Sequence, residues 1–128
     1  GVRLAETRND HIAPLESWLR NIRDVYRLHQ KELDKIKDPE KRHRRLVELN
    51  VIEQCINVYK TGVVQRKRVE TYQAGQEFTT PRIHGLVFDP RVGRLKRLNV
   101  DFAKYTKNLN EIYDLYDAEA DLTDRIYA

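Results

Sequence analysis

The side chains best suited to metal or nucleophilic chemistry in this 128-residue chain are one cysteine, Cys55, and four histidines. A zinc site or an activated thiol needs such groups to converge. Cys55 lies among apolar residues at helical spacing, and the nearest histidine, His43, is about three helical turns away. We therefore expect Cys55 to be a small buried apolar side chain. A single cysteine also excludes an internal disulfide and a metal cage built only of cysteines.

The histidines show no metal-ligand spacing to one another or to the cysteine. They are His11, His29, His43 and His84. His84 falls in a predicted strand and is expected to be a hydrogen-bonded structural residue, and His29 lies near a helix end, where a surface role suffices. The chain shows no Ser-His-Asp order, phosphate loop or pair of carboxylates, so we predict no catalytic residue and no metal ligand in it.

A concentrated basic run, Lys41–Arg45, raises the question of nucleic-acid binding. A helix spreads five successive residues around its axis, the run is flanked by Glu40 and Glu48 at pairing distance, and no stacking aromatics are interleaved with it. A solvated helix end is the favoured interpretation. The smaller basic patch at 65–68 either faces solvent or meets the acidic C-terminal segment.

Composition is that of one small domain: 15.3 kDa, 40% apolar and 34% charged residues, with a mean hydropathy of −0.75. No run approaches the roughly 18 apolar residues that a membrane helix needs, and charges within residues 1–10 exclude the apolar core of a signal peptide there. The net charge of +4 is uneven, because residues 101–128 hold seven acids and three bases while residues 1–100 hold 21 bases and 13 acids. Such a distribution suits either a nucleic-acid face or complementary surfaces that pack together.

The elements that position these residues are mainly helices. An amphipathic helix follows Pro14 and weakens toward Lys37, and Asp38-Pro39 signals the start of a second helix that runs to about Tyr59. The apolar stripe predicted for one face of the first helix comprises Leu15, Trp18, Leu19, Ile22, Val25 and Tyr26.

In the second half of the chain, the spacing of the apolar residues changes from that of a helix to that of a hairpin. Thr61 is a plausible cap for a short helix over Val63–Ala74 that ends at Gly75. Alternating residues over 83–88 and 94–100, joined by a turn that contains Pro90 and Gly93, predict a β-hairpin with a loop of three to five residues. A final helix is predicted from Asp101 through Tyr116.

Three stretches in this order closely resemble the β-class carbonic anhydrases, in particular their bacterial-type branch. The stretches are Ser17–Val25 (SWLRNIRDV), Leu46–Gln54 (LVELNVIEQ) with Asn57-Val58 after it, and Ile83–Gly85 with Gly93–Leu95 after it. The resemblance covers the chain from about Pro14 to Val100. It implies an α/β, β-carbonic-anhydrase-like fold, of which residues 1–128 carry mainly the later helices and a late β-hairpin, as the C-terminal part of a single domain.

Enzymes of this family hold zinc with two cysteines and a histidine, from a Cys-x-Asp-x-Arg motif and a later His-x-x-Cys motif. Neither motif occurs in this sequence, and residues 1–5 (GVRLA) resemble the segment just past the second one. The resemblance therefore implies that the zinc ligands lie N-terminal to residue 1. It also implies that this chain is the scaffold part of the enzyme and is inactive alone.

The activity implied is that of a lyase that hydrates carbon dioxide reversibly to bicarbonate with zinc-bound hydroxide. Thr61, Val63 and Val64 fall where the family lines its apolar substrate cleft. The family forms homodimers and larger homo-oligomers, and we expect the same here. We expect no membrane association and a location in the cytoplasm or, if a targeting segment is missing, in an organelle matrix.

An alternative from another class is a non-catalytic helical binding module, derived from such an enzyme, that uses its uneven charge to bind a partner. Nucleic-acid binding is a third and less favoured interpretation.

Overall fold

The computed structural model describes residues 2–5 and 13–113. Their contacts divide into two compact units, residues 1–53 and 54–128. The elements in chain order are α1 (Val2–Ala5), α2 (Ala13–Leu28), α3 (Gln30–Leu33), α4 (Pro39–Tyr59), α5 (Gly62–Gln73), β1 (Gly85–Asp89), β2 (Arg94–Leu98) and α6 (Phe102–Tyr113).

In the first unit, α2 buries much of the apolar stripe that its spacing predicts. Leu19, Ile22 and Val25 are buried, whereas Trp18 is exposed. Trp18 shares the predicted face, but the described part of this unit does not cover it. Helical periodicity identifies a face, but it does not show how far along that face a neighbouring element extends.

The core of the first unit is a cluster of four buried apolar residues from three helices: Val25, Leu33, Leu46 and Leu49. The partly buried Val2 and Tyr26 pack against this cluster. Arg23 donates a hydrogen bond from Nε to the carbonyl oxygen of Ala5 at 3.3 Å, which ties α2 to the last residue of α1. The helices of this unit are thus held by one small core.

The start of α4 confirms the prediction made from Asp38-Pro39. The carboxylate of Asp38 accepts hydrogen bonds from the backbone N–H groups of Glu40 at 2.9 Å and Lys41 at 3.2 Å. These two bonds, of which that from Lys41 has the larger effect, lower the pKa of Asp38 below its usual value. Pro39 is the first helical residue, where its missing N–H costs nothing.

In the second unit, the last turns of α4 contribute Cys55, Ile56 and Tyr59 to the core. The ring of Tyr59 stacks on that of Phe102, with centroids 4.7 Å apart and an interplanar angle of 28°. Leu98 at the end of β2 is also buried. The stacked rings secure the first turn of α6 to the end of α4.

The sheet is a two-stranded antiparallel hairpin, as predicted. β1 and β2 pair from Gly85 opposite Leu98 to Asp89 opposite Arg94. The connecting loop spans 90–93, and Gly93 adopts a φ of +62°, which a residue without a Cβ tolerates best. His84 precedes β1 by one residue, so its predicted place inside a strand is wrong.

α6 begins at Phe102, one residue after the predicted start. The side chain of Asp101 caps it by accepting a hydrogen bond from the backbone N–H of Lys104 at 3.0 Å. The predicted extension of this helix through Tyr116 lies outside the described residues.

Candidate functional site

The predicted cleft residues lie together at the beginning of α5. Thr61 immediately precedes the helix, and Val63 and Val64 belong to its first turn. Val63 is 67% exposed and Val64 is half-buried. Val63 therefore presents an apolar side chain to solvent in the first turn of α5, where it can form part of a cleft wall together with other residues.

Thr61 stands at the predicted cap position of α5, but its side chain does not cap that helix. Its hydroxyl instead donates to the carbonyl oxygen of Val58 at 2.7 Å, in the last turn of α4. Thr61 is thus the N-cap residue of α5 by position, as predicted, but its hydroxyl makes no cap bond, since a threonine hydroxyl can bond to the helix on either side of a short turn. The backbone in front of Val63 is fixed by this bond.

Cys55 is buried, as predicted, and burial raises the pKa of its thiol. A thiol kept protonated in this way is a poor nucleophile and a poor metal ligand. Among the described residues, no three histidine, cysteine or acidic side chains converge into a set that could hold a metal ion. One cysteine in 128 residues does not fit the two-cysteine, one-histidine zinc site that the resemblance implies.

A histidine–carboxylate pair in the first unit was missed at the level of sequence. His29 Nε2 and Glu53 Oε1 are 2.8 Å apart, and both side chains are largely buried. The two residues are 24 positions apart, and no local spacing rule connects a turn after α2 with the middle of α4. The pair joins that turn to α4, and in chemical terms it is a hydrogen-bonded structural histidine.

One arginine of the 65–68 patch lies in the core of the second unit. Arg68 is buried, donates from Nη1 to the carbonyl oxygen of Pro81 at 2.9 Å, and holds its guanidinium carbon 5.1 Å from the ring centroid of Tyr59. Its neighbour Lys67 is exposed and pairs with Glu70 at 2.8 Å. The patch is therefore part structural and part surface. Only solvent or the acidic C-terminal segment is predicted from the sequence as the environment of this patch, so the sequence prediction missed the burial of Arg68.

The other basic run lies at the start of α4 and is only partly exposed, since Arg42, His43 and Arg45 are half-buried. Lys41 and Arg44 are exposed, and Arg45 pairs with Glu48 at 3.1 Å and also with Glu32. The side-chain bond to Glu32 is the main reason that the pKa of Arg45 is raised. Arg45, one of the cations that a nucleic-acid face would need, is therefore already paired with carboxylates.

No helix in the described part of the chain is long and apolar enough to cross a membrane.

The mixture of helices with one small antiparallel sheet is consistent with part of the α/β fold of the β-carbonic anhydrases. Residues 1–95 match the family model for carbonic anhydrase. The chain is 50% identical over 115 residues to a carbonic anhydrase of Emericella nidulans, an alignment that covers 90% of this chain and 47% of that protein. The chain belongs to the β-carbonic anhydrase family, and it spans about half the length of the curated relative it matches.

Proposed function

We propose that this chain works as part of a carbonic anhydrase that interconverts carbon dioxide and bicarbonate. The observation that supports this most strongly is the 50% identity, over 90% of the chain, to a protein described as a carbonic anhydrase. The family match over residues 1–95 agrees with it.

In this proposal the chain supplies scaffold, and the zinc ligands come from sequence outside these 128 residues. The support is chemical, because the chain has a single cysteine and that cysteine is buried with a raised pKa. The chain's own contribution is to hold the turn between α4 and α5 in place, through the bond from Thr61 to Val58 and a second bond from Gln65 Nε2 to the carbonyl oxygen of Tyr59 at 2.7 Å.

The test compares the whole protein with the 128-residue chain, by elemental analysis for zinc and by stopped-flow hydration of carbon dioxide. We expect zinc and hydration activity in the whole protein and neither in the chain alone. A whole protein that contains no zinc and does not hydrate carbon dioxide would contradict the proposal. That result would favour the non-catalytic binding module, which the uneven charge supports.

We further propose that Thr61, Val63 and Val64 form part of the wall of an apolar substrate cleft. A surface of this kind suits a small nonpolar substrate, and the exposure of Val63 leaves its methyl groups accessible. In the whole protein, Val63→Asp should lower kcat/KM at least about tenfold, because a charge in an apolar wall costs more than about 1.4 kcal/mol. An acid in the first turn of a helix does not destabilise the helix, so the melting temperature should hardly change.

Val92 provides the matched control, since it is 68% exposed and lies in the hairpin loop, far along the chain from α5. Val92→Asp should leave kcat/KM within about twofold of the unsubstituted protein, as is usual for surface substitutions. Equal losses of kcat/KM in both variants would contradict the cleft assignment but would not contradict the proposed activity.

Assembly as a homodimer or larger homo-oligomer, and a location in the cytoplasm or an organelle matrix, also belong to this proposal. A free thiol in the only cysteine is compatible with a reducing compartment. Light scattering on the whole protein would give its oligomeric state, and a monomer at micromolar concentration would contradict the first of these expectations.

A further inference from the structure

The carbonyl group of Tyr59, the last residue of α4, cannot be satisfied by that helix itself. It accepts a hydrogen bond from the side-chain amide of Gln65, with Nε2 2.7 Å from the carbonyl oxygen, and this bond is partly buried. Only a donor can fill this place, because a carbonyl oxygen accepts and does not donate. The amide group of Gln65 therefore closes the C-terminal end of α4 from a position in the next helix.

Gln65 also makes a backbone hydrogen bond in the first turn of α5. Its N–H donates to the carbonyl oxygen of Thr61 at 3.0 Å. Residues 60–61 form the turn that separates α4 from α5. The main chain of Gln65 therefore bonds to this turn, and its side chain bonds to the helix in front of it.

A second residue on the same side of α5 contacts Tyr59. Arg68 follows Gln65 by three positions, which places both side chains on one face of the helix. It is buried, and its guanidinium carbon lies 5.1 Å from the centroid of the Tyr59 ring, which stacks on Phe102. The first two turns of α5 are therefore fixed to Tyr59 at two points, at the carbonyl by Gln65 and at the ring by Arg68.

Val63, the exposed residue of the proposed cleft wall, points the other way. Side chains two positions apart on a helix lie about 200° apart around its axis. In agreement with this, Gln65 is half-buried and Val63 is 67% exposed. The amide of Gln65 is therefore turned away from a molecule that lies against Val63, and it can affect such a molecule only through the position of α5.

We propose that Gln65 is a positioning residue for the apolar substrate wall. Its bond to Tyr59 fixes the first turn of α5 against the end of α4, and this sets where Val63 meets carbon dioxide. The inference rests on the proposed function, since the substrate and the cleft belong to that proposal. It adds a specific role for a side chain that lies outside the cleft.

Three substitutions separate the donor of Gln65 from the size of its side chain. Gln65→Met keeps the length and flexibility of the side chain and removes the donor. Gln65→Lys keeps a donor at a slightly longer reach. Gln73→Met makes the first change at an exposed position in the last turn of the same helix, and it is the matched control.

The first measurement is amide hydrogen exchange in the whole protein, followed at the backbone N–H groups of Arg66 and Lys67. Gln65→Met should speed their exchange about fivefold, because the loss of one partly buried hydrogen bond loosens the start of α5 by that order. Gln65→Lys should return the exchange rates to within about twofold of the unsubstituted protein, since its ammonium group can donate to the same carbonyl. Gln73→Met should leave these rates unchanged.

The second measurement is the stopped-flow hydration of carbon dioxide by the whole protein, at a temperature where every variant is folded. Gln65→Met should lower kcat/KM at least about threefold, mainly through KM, because a displaced wall weakens contacts made in the ground state and the transition state alike. Gln65→Lys should recover most of this loss. A residue that only stabilised the fold would lower the melting temperature and leave kcat/KM of the folded enzyme unchanged.

A double-mutant cycle tests whether Gln65 acts through Val63. Val63→Ala removes most of the side chain that Gln65 is proposed to position. In that background, Gln65→Met should lower kcat/KM less than about 1.5-fold further, because two changes that act through one contact are not additive.

Three results would overturn the inference. Losses of kcat/KM that add in full in the double variant would contradict action through Val63. An active whole protein in which Gln65→Met leaves kcat/KM unchanged would remove the positioning role and leave the proposed function intact, whatever the exchange rates. A whole protein with no hydration activity would contradict the proposed function and this inference with it.

Discussion

Two buried threonines of the second unit have opposite hydrogen-bonding environments. Thr71 and Thr106 are each 3% exposed. The hydroxyl of Thr71 accepts a hydrogen bond from the backbone N–H of Thr80 at 3.0 Å and can donate to the carbonyl oxygen of Arg68 at 3.0 Å. The hydroxyl of Thr106 has no partner among the residues that the structure describes. The two side chains are equally buried, but only the hydroxyl of Thr71 satisfies a backbone group.

Replacing Thr71 with valine should lower the free energy of unfolding by about 1 kcal/mol, because it leaves the partly buried backbone N–H of Thr80 without its acceptor. The matched substitution Thr106→Val removes a buried hydroxyl without depriving any described group of a partner, and we expect it to be neutral or slightly stabilising. Urea denaturation of both variants measures the difference. Equal destabilisation would show that the hydroxyl of Thr71 is not what holds the Thr80 backbone.

His84 provides a second prediction at this scale. Partial desolvation of the ring, and then the charges of Arg97 and Arg82, lower the pKa of this imidazole. Arg97 Nη2 lies 3.2 Å from His84 Nδ1, so the guanidinium donates to a neutral ring. Because the folded state disfavours the proton, this residue's contribution to stability is lost as the pH falls from about 6.5 toward the lowered pKa.

Arg97→Gln should raise the pKa of His84 toward its ordinary value, since it removes a positive charge next to the ring. The chemical shifts of the imidazole followed by NMR across pH 4–8 would measure this, and Arg91→Gln in the hairpin loop is a suitable control. An unchanged titration of His84 in the Arg97→Gln variant would show that the charge of Arg97 does not contribute to its lowered pKa.

At the scale of elements, most helix and strand boundaries could be predicted from turn and capping residues. Asp38-Pro39 locates the start of α4, and Gly75 and Gly93, both with positive φ, lie at the predicted end of a helix and in the predicted loop. The spacing of the residues could not predict which side chains are buried. Trp18 is exposed although its helical position suits a core, and Arg68 is buried although its charge suits a surface. Burial depends on tertiary neighbours, which local pattern does not specify.

The cap of α4 is open to a direct test. Asp38→Ala should destabilise the protein, and Asp38→Asn should restore most of the loss, since asparagine also caps. Because the pKa of Asp38 is lowered in the folded state, any advantage of the aspartate over its asparagine substitute should be largest above about pH 4. That advantage should vanish as the pH falls through the lowered pKa. Thermal unfolding of the unsubstituted protein and the Asp38→Asn variant across pH 2–7 would show this, and a pH-independent difference would contradict it.

At the scale of the whole molecule, the fold class could be predicted because the resemblance rests on three helix and strand motifs that lie within the chain. The proposed cleft residues Thr61, Val63 and Val64 lie together at the start of α5, and the described residues define no metal centre. The partners of His29 and His84 lie too far along the chain for local spacing to reveal them.

We expect the stability of the first unit to depend on its small core. Leu33 is fully buried and Leu28, five positions earlier, is exposed. Leu33→Ala should lower the free energy of unfolding by about 2–5 kcal/mol, whereas Leu28→Ala should change it by less than about 0.5 kcal/mol. Chemical denaturation compares the two, and similar values would mean that the described core is not what stabilises this unit.

The burial of Cys55 has a practical consequence. As the only thiol in the chain, and one enclosed by the core of the second unit, it is a native reporter whose alkylation rate follows the transient opening of that unit. Pulsed labelling at this single sulfur can therefore follow the local opening of that core, with no engineered probe and no background from a second thiol in the chain.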